Sequence, residues 1–115
     1  MRRLVKSFGY ALSGITYTAK TQMNFRIHLA AIAMVGIAGW YLHLSAAEWT
    51  CIVIVIGLVL VAELLNTAVE LLVDLVSPGF NAQAGKVKDV AAGAVLVAAG
   101  IAVISGAIIF IPKLI

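Results

Sequence analysis

Glu63-Leu-Leu-Asn66-Thr-Ala-Val-Glu70-Leu-Leu-Val-Asp74 is the stretch of sequence that decides how the rest of the chain is interpreted. It follows a long apolar run, residues 51–62, and it holds three of the five carboxylates in the protein. At about 100° per helical residue its four polar side chains fall within roughly 80° of one another, so they form one polar stripe on an apolar helix. Carboxylates at membrane depth are costly and usually face a protein interior or a water-filled site. The stripe is therefore the first candidate for a functional site.

The composition around this stretch is that of an integral membrane protein. The 115 residues are 63% hydrophobic and only 11% charged, about half the charged fraction of a soluble domain. The chain is expected to form one domain, residues 1–115. Such a small bundle encloses little interior, which favours a homo-oligomer. The basic residues cluster near segment ends, which indicates contacts with a membrane surface or an anionic ligand rather than with nucleic acid.

The hydropathy pattern predicts an all-α membrane protein with three spans. The second helix covers residues 46–76, and Ser45 with Glu48 three residues later has the pattern of a capping box. The first span is predicted over residues 27–44 and the third over 88–111, with a loop at 77–85 and a stop at Pro112. Small residues recur every four positions in the third span and favour close helix contact. His28 and His43, near opposite ends of the first span, are not expected to share a metal.

The distribution of lysine and arginine predicts the orientation of the chain. Five basic residues precede the first span and two lie between the second and third, whereas the turn at 44–48 has none. The positive-inside rule then places the N-terminus and the 77–89 loop in the cytoplasm and the C-terminus outside. The polar stripe would lie towards the cytoplasmic face, where ATP and Mg²⁺ are available.

Residues 2–21 have helical apolar spacing but are too polar to span, which predicts an amphipathic helix lying at the membrane surface. Its cations have two interpretations. They either hold anionic headgroups only, or Arg3, Lys6 and Tyr10 form one side of a nucleotide site, with cations for the phosphates and a ring for the base.

The polar residues on the cytoplasmic side have the chemistry that Mg-ATP and an attacking hydroxyl need. Glu70 can hold a hard cation, and Glu63, which lies deeper, can accept a proton from a lipid hydroxyl. Asn66 lies between the two and can orient either, while Lys88 and Asp89 can close the nucleotide side. No Walker-type or kinase glycine-rich loop occurs. From the residues alone, an ion path or buried oligomer contacts remain equally open.

The chain resembles the small prokaryotic diacylglycerol kinase/undecaprenol kinase family over nearly its whole length. The resemblance lies in Glu63-Leu-Leu-Asn-Thr-Ala-Val-Glu70, in Lys88-Asp89 at the start of the last span, in Gly9-Tyr10, and in the Asn-Phe-Arg-Ile-His block at 24–28. It implies a homotrimer with active sites shared between chains and ATP-dependent phosphorylation of a membrane lipid alcohol in the bacterial cytoplasmic (inner) membrane.

The resemblance also implies a role for each candidate residue. Glu63 matches the catalytic base and, with Asn66, the lipid side of the site; Glu70 matches a ligand of the magnesium ion. The residues that match nucleotide contacts are Arg3, Lys6, Tyr10, Asn66, Glu70, Gly79, Phe80, Asn81, Gly85, Lys88 and Asp89. Asp74 shares the stripe, but a solvated or loop-bracing role is as consistent with the sequence as a catalytic one.

Gln22 is the one departure from the family pattern. The family usually has a glutamate at this position, as a second carboxylate ligand of the metal. An amide keeps one oxygen ligand and loses the charge. The change predicts weaker metal binding, compensation by another carboxylate, or a silenced, non-catalytic homologue. The block at 24–28 favours undecaprenol as the substrate, and diacylglycerol, which would give phosphatidic acid, is the alternative.

Overall fold

The computed structural model describes residues 1–115 as four α-helices. They are α1 (Arg2–Thr21), α2 (Met23–Tyr41), α3 (Ala46–Val76) and α4 (Ala82–Leu114). Helices α2, α3 and α4 are each long and apolar enough to cross a membrane. The prediction of an all-helical membrane protein with three candidate spans is therefore confirmed, and α1 precedes them as a separate helix.

The first span begins earlier and ends earlier than the predicted range of 27–44. Only Gln22, in an extended conformation, separates α1 from α2. Arg26 Nη1 donates hydrogen bonds to the carbonyl oxygens of Ala19 (3.1 Å) and Lys20 (2.9 Å), so it caps the end of α1 from within the first turn of α2. At the other end α2 stops at Tyr41, because the chain turns through a positive φ of 56° at His43.

The third span begins at Ala82, not at residue 88, so the predicted loop at 77–85 shrinks to 77–81. Asn81 is the N-cap: its Oδ1 accepts hydrogen bonds from the backbone N–H groups of Gln83 (2.9 Å) and Ala84 (3.2 Å), which supplies two of the donors that a helix start leaves unpaired. Helix α4 also continues past Pro112 to Leu114. A proline in the last turn removes few helical hydrogen bonds, so the helix tolerates it there.

The corner between α2 and α3 is closed by a capping box and a close helix contact. Ser45 Oγ accepts a hydrogen bond from the Glu48 backbone N–H (3.2 Å), and the Glu48 carboxylate accepts one from the Ser45 N–H (2.9 Å), as predicted. Gly39 is buried against Leu44 and Trp49, and a Cβ at this position would lie 2.8 Å from atoms of both side chains. The absence of a side chain at Gly39 thus allows the corner to close.

Helices α3 and α4 form an antiparallel hairpin that makes the most extensive contact in the chain. The small residues of α4 face inward for most of their length: Ala98 is buried, and Ala102 and Gly106 are half-buried, whereas Ala94 is exposed. At the far end of the hairpin Lys113 Nζ lies 3.1 Å from Glu48 Oε1. Many large apolar side chains remain exposed, as expected for helices that face lipid or another chain.

An apolar groove of about 290 Å³ runs between α2, α3 and α4. Its walls are aliphatic and aromatic, apart from His28 at one position on α2. Its lining includes His28, Ile32, Val59, Ala102 and Phe110.

Candidate functional site

Glu63 is the most deeply buried charged side chain, with 2% of the residue exposed. It continues the buried face of α3, where Val55 and Val59 precede it and Thr67 follows at helical spacing. The buried Thr67 hydroxyl donates a hydrogen bond to the Glu63 carbonyl oxygen (3.0 Å), so it has a hydrogen-bond partner within the helix. The same periodicity that buries the apolar face therefore carries one carboxylate into the interior.

His28 of α2 is the group that meets this carboxylate. Its Nε2 lies 3.1 Å from Glu63 Oε1. The contact is close enough for an ion pair but does not satisfy hydrogen-bond geometry, and Oε1 is fully enclosed without a hydrogen-bond partner. This pair was not predicted from the sequence. The available signal was spacing, since His28 follows Phe25, which is 2% exposed, by three residues and shares its helix face.

Asn66 and Glu70 form a second polar pair one turn further along α3. Asn66 Nδ2 donates to Glu70 Oε1 (3.2 Å), which fits the expectation that Asn66 can orient this carboxylate. The Asn66 Oδ1 is buried and has no hydrogen-bond partner. No group of three acidic, histidine or cysteine side chains converges within the chain.

Lys88 and Asp74 form the third polar pair, across the 77–81 loop. Lys88 Nζ lies 2.6 Å from Asp74 Oδ1. Both side chains line a cleft of about 330 Å³ that mixes polar and apolar walls. The loop residues Gly79, Phe80 and Asn81, together with Gly85, line the same cleft. Five residues predicted to contact a nucleotide are thus in one place, and Asp74 has a partner that the sequence did not reveal.

None of the remaining candidates forms an ion pair or a side-chain hydrogen bond with these three pairs. Arg3, Lys6 and Tyr10 are exposed on α1 and make no ion pair or side-chain hydrogen bond. Asp89 is exposed and unpaired beside Lys88. Gln22 is half-buried at the junction of α1 and α2, and its backbone N–H donates to the carbonyl of Thr18 (2.8 Å).

Fold and site together define a small α-helical membrane protein whose second candidate span, α3, carries a buried carboxylate and ends beside a mixed polar cleft. The family model described as prokaryotic diacylglycerol kinase matches residues 9–110. The chain belongs to this family and is a lipid kinase.

Individual relatives are named as kinases of two different lipids. The chain is 46% identical to an undecaprenol kinase of Bacillus subtilis, over 99% of this chain and 93% of that protein. It is 45% identical to a diacylglycerol kinase of Synechocystis, over 96% of this chain and 64% of that protein. It is 28% identical to the diacylglycerol kinase of Escherichia coli K12, over 93% of this chain and 88% of that protein.

Proposed function

We propose that this protein is an undecaprenol kinase that transfers the terminal phosphate of ATP to the lipid hydroxyl. The choice of undecaprenol as the substrate rests on the similarity to the Bacillus undecaprenol kinase, which extends over almost the full length of both chains. The Asn-Phe-Arg-Ile-His block at 24–28 supports the same assignment. It lies in the first turns of α2, next to the proposed site.

Diacylglycerol is the second candidate substrate. The Synechocystis diacylglycerol kinase is nearly as similar as the Bacillus enzyme. Both lipids present a primary hydroxyl at the interface, and the groove between the helices is apolar along most of its wall. The choice between the two lipids therefore depends on a direct comparison of rates.

Glu63 is the proposed catalytic base. Its burial keeps water away from the carboxylate. In the proposed reaction the carboxylate accepts the proton of the lipid hydroxyl while the hydroxyl oxygen bonds to the terminal phosphorus of ATP and ADP leaves. Removal of such a base typically costs about 10²- to 10⁴-fold in rate. Asn66 is the proposed neighbour that orients the reacting groups between Glu63 and Glu70.

The proposed metal ligands are the carboxylate of Glu70 and the side-chain amide oxygen of Gln22. The chemistry of the donors fits Mg²⁺, because the Glu70 carboxylate and the buried Asn66 Oδ1, which has no hydrogen-bond partner, are both oxygen donors. A bound Mg²⁺ would neutralise phosphate charge. Glu70 and Asn66 lie four residues apart on one face of α3, and Gln22 would contribute a neutral amide where a carboxylate would bind more tightly.

The proposed nucleotide cleft is the one between α3, the 77–81 loop and α4. Lys88 supplies a cation for the phosphates, and Asn81 and the two glycines supply loop backbone and space for the nucleotide. Phe80 is fully exposed at the rim and offers a ring for the base. Asp89 follows Lys88 and is the proposed polar contact on the opposite side.

A homotrimer with shared sites is the proposed assembly, and α1 is the proposed surface helix. Arg3, Lys6 and Tyr10 have no partner within their own chain, which suits cations and a ring that complete the nucleotide site of a neighbouring chain. The exposed apolar side chains of α1, among them Leu4, Phe8 and Leu12, suit the interface of a membrane.

The proposed location is the bacterial cytoplasmic membrane, with the N-terminus and the 77–89 loop in the cytoplasm and the C-terminus outside. The basic residues that precede α2 and follow α3 support this orientation. The contact between Lys113 and Glu48 is consistent with it, since it joins the C-terminus to the 44–48 turn.

Transfer of labelled phosphate from ATP in detergent micelles tests the proposal, with undecaprenol and diacylglycerol offered separately. We expect faster transfer to undecaprenol and a loss of about 10²-fold or more in Glu63→Gln. Faster transfer to diacylglycerol would reverse the order of the two substrates. Transfer by Glu63→Gln at the parental rate would remove Glu63 from the reaction.

A further inference from the structure

His28 is the one side chain from another helix that reaches the buried carboxylate of α3. The imidazole is a quarter exposed, whereas the Glu63 side chain is 3% exposed, and their nearest atoms lie 3.1 Å apart. No other ion pair involves either residue. A buried carboxylate needs a nearby donor or cation, and in this chain the imidazole is the group placed to provide it.

The two oxygens of Glu63 are in different surroundings. Oε1 is fully enclosed and faces His28. Oε2 also lacks a hydrogen bond within the chain but is not enclosed in the same way, so it is the oxygen open to an incoming hydroxyl. Because His28 Nε2 contacts Oε1, Oε2 is the oxygen left to face the acceptor.

The other side of the imidazole faces the apolar groove. His28 is the only titratable residue in the groove wall, whose remaining members include Ile32, Val59 and Phe110. Because these walls offer the ring no polar partner, Glu63 is the one charged group with which it interacts.

We infer that His28 is a positioning residue for the phosphoryl transfer: its Nε2 holds Oε1 of Glu63 so that Oε2 is aimed at the lipid hydroxyl. This inference rests on the proposed role of Glu63 as the base. A base that is free to rotate spends less time in the reactive geometry, and a misplacement of about 1 Å can cost 10²-fold in rate. The loss of His28 should therefore lower kcat and leave the affinity for ATP unchanged.

Two substitutions distinguish the effect of losing the N–H donor of His28 from the effect of losing the volume of its ring. His28→Phe keeps a flat ring without a donor, whereas His28→Gln puts an amide N–H near the position of Nε2. We expect kcat to fall about 10- to 100-fold in His28→Phe, with KM for ATP unchanged, and most of the loss to be restored in His28→Gln. His43→Asn is the matched control, because His43 is exposed beyond the far end of α2 and asparagine tolerates its positive φ.

The result that would overturn the inference is a parental kcat in His28→Phe, or equal losses in His28→Phe and His28→Gln. Glu63→Gln, measured alongside, separates this failure from that of the proposed function. A parental rate in Glu63→Gln refutes the base, while an inactive Glu63→Gln beside a fully active His28→Phe refutes only the positioning role. Imidazole ¹⁵N shifts of His28 provide a readout apart from activity: they should change in Glu63→Gln, and unchanged shifts would contradict the contact.

Discussion

Lys88 and Asp74 are fourteen residues apart in the chain, yet Nζ of the lysine lies 2.6 Å from Oδ1 of the aspartate. The pair joins the end of α3 to the first turns of α4 across the 77–81 loop. Both side chains are substantially exposed, 39% for Lys88 and 64% for Asp74, so solvent screens the pair and it adds little to stability. Both residues line the proposed nucleotide cleft, and there the pair places the lysine ammonium that is proposed to bind phosphate.

Replacement of Lys88 by alanine should raise KM for ATP about 10- to 100-fold, since a charge-assisted contact to phosphate contributes roughly 1.5–3 kcal/mol. Lys88→Arg should retain part of the affinity. Lys86→Ala is the control, because Lys86 is exposed and lies outside the cleft. Steady-state kinetics with varied ATP measures the effect; an unchanged KM in Lys88→Ala would exclude Lys88 from the nucleotide site.

Asp74→Asn should lower KM for ATP by a few-fold at most, because a solvent-exposed ion pair competes only weakly with phosphate for the ammonium. The amide keeps an oxygen that can accept from Lys88, so the thermal unfolding temperature should hardly change. A rise in KM would mean that Asp74 supports nucleotide binding directly, contrary to this expectation.

Gln22→Glu should increase the apparent affinity for Mg²⁺, on the order of tenfold, because it would give the proposed metal site a charged oxygen ligand at position 22. Titration of activity with Mg²⁺ at fixed ATP measures the change. Gln83→Glu is the matched control, since it adds the same charge at an exposed position in the first turn of α4. Equal Mg²⁺ dependence in the two variants would argue against a ligand role for position 22.

Gly39→Ala should destabilise the protein by about 1–3 kcal/mol, because the added Cβ would lie 2.8 Å from atoms of Leu44 and Trp49. Gly36→Ala, one turn earlier in α2, meets nothing within 4 Å and should be neutral or stabilising. Thermal unfolding in detergent compares the two. Equal unfolding temperatures would show that the corner can adjust to the extra methyl group.

Features set by neighbouring residues were predictable from the sequence. The Ser45–Glu48 capping box, the bounds of α3 and the polar stripe depend on spacings within a few residues, and the structure has all three. The start of α4 was misplaced because Gly85 suggested a turn. Asn81 followed by helix-forming residues was the stronger signal, since its side chain caps two backbone N–H groups.

Contacts between helices were not predictable in the same way. The stripe was expected to act as one polar face, but each carboxylate has a separate partner: His28 for Glu63, Asn66 for Glu70 and Lys88 for Asp74. Only the Asn66–Glu70 pair lies within one helix at a spacing of four. The other two depend on how α2 and α4 pack against α3, which hydropathy alone does not specify.

The Glu48–Lys113 and Asp74–Lys88 contacts lie at opposite ends of the α3–α4 hairpin, roughly 38 Å apart by helical rise. This separation exceeds the ~30 Å hydrophobic thickness of a typical bilayer, so both ion pairs can stay in the headgroup regions at once. Longer lipid tails would bring one pair towards the acyl chains or force the bilayer to thin around the protein. The hairpin thereby sets an upper limit to the membrane thickness in which the kinase can sit without strain.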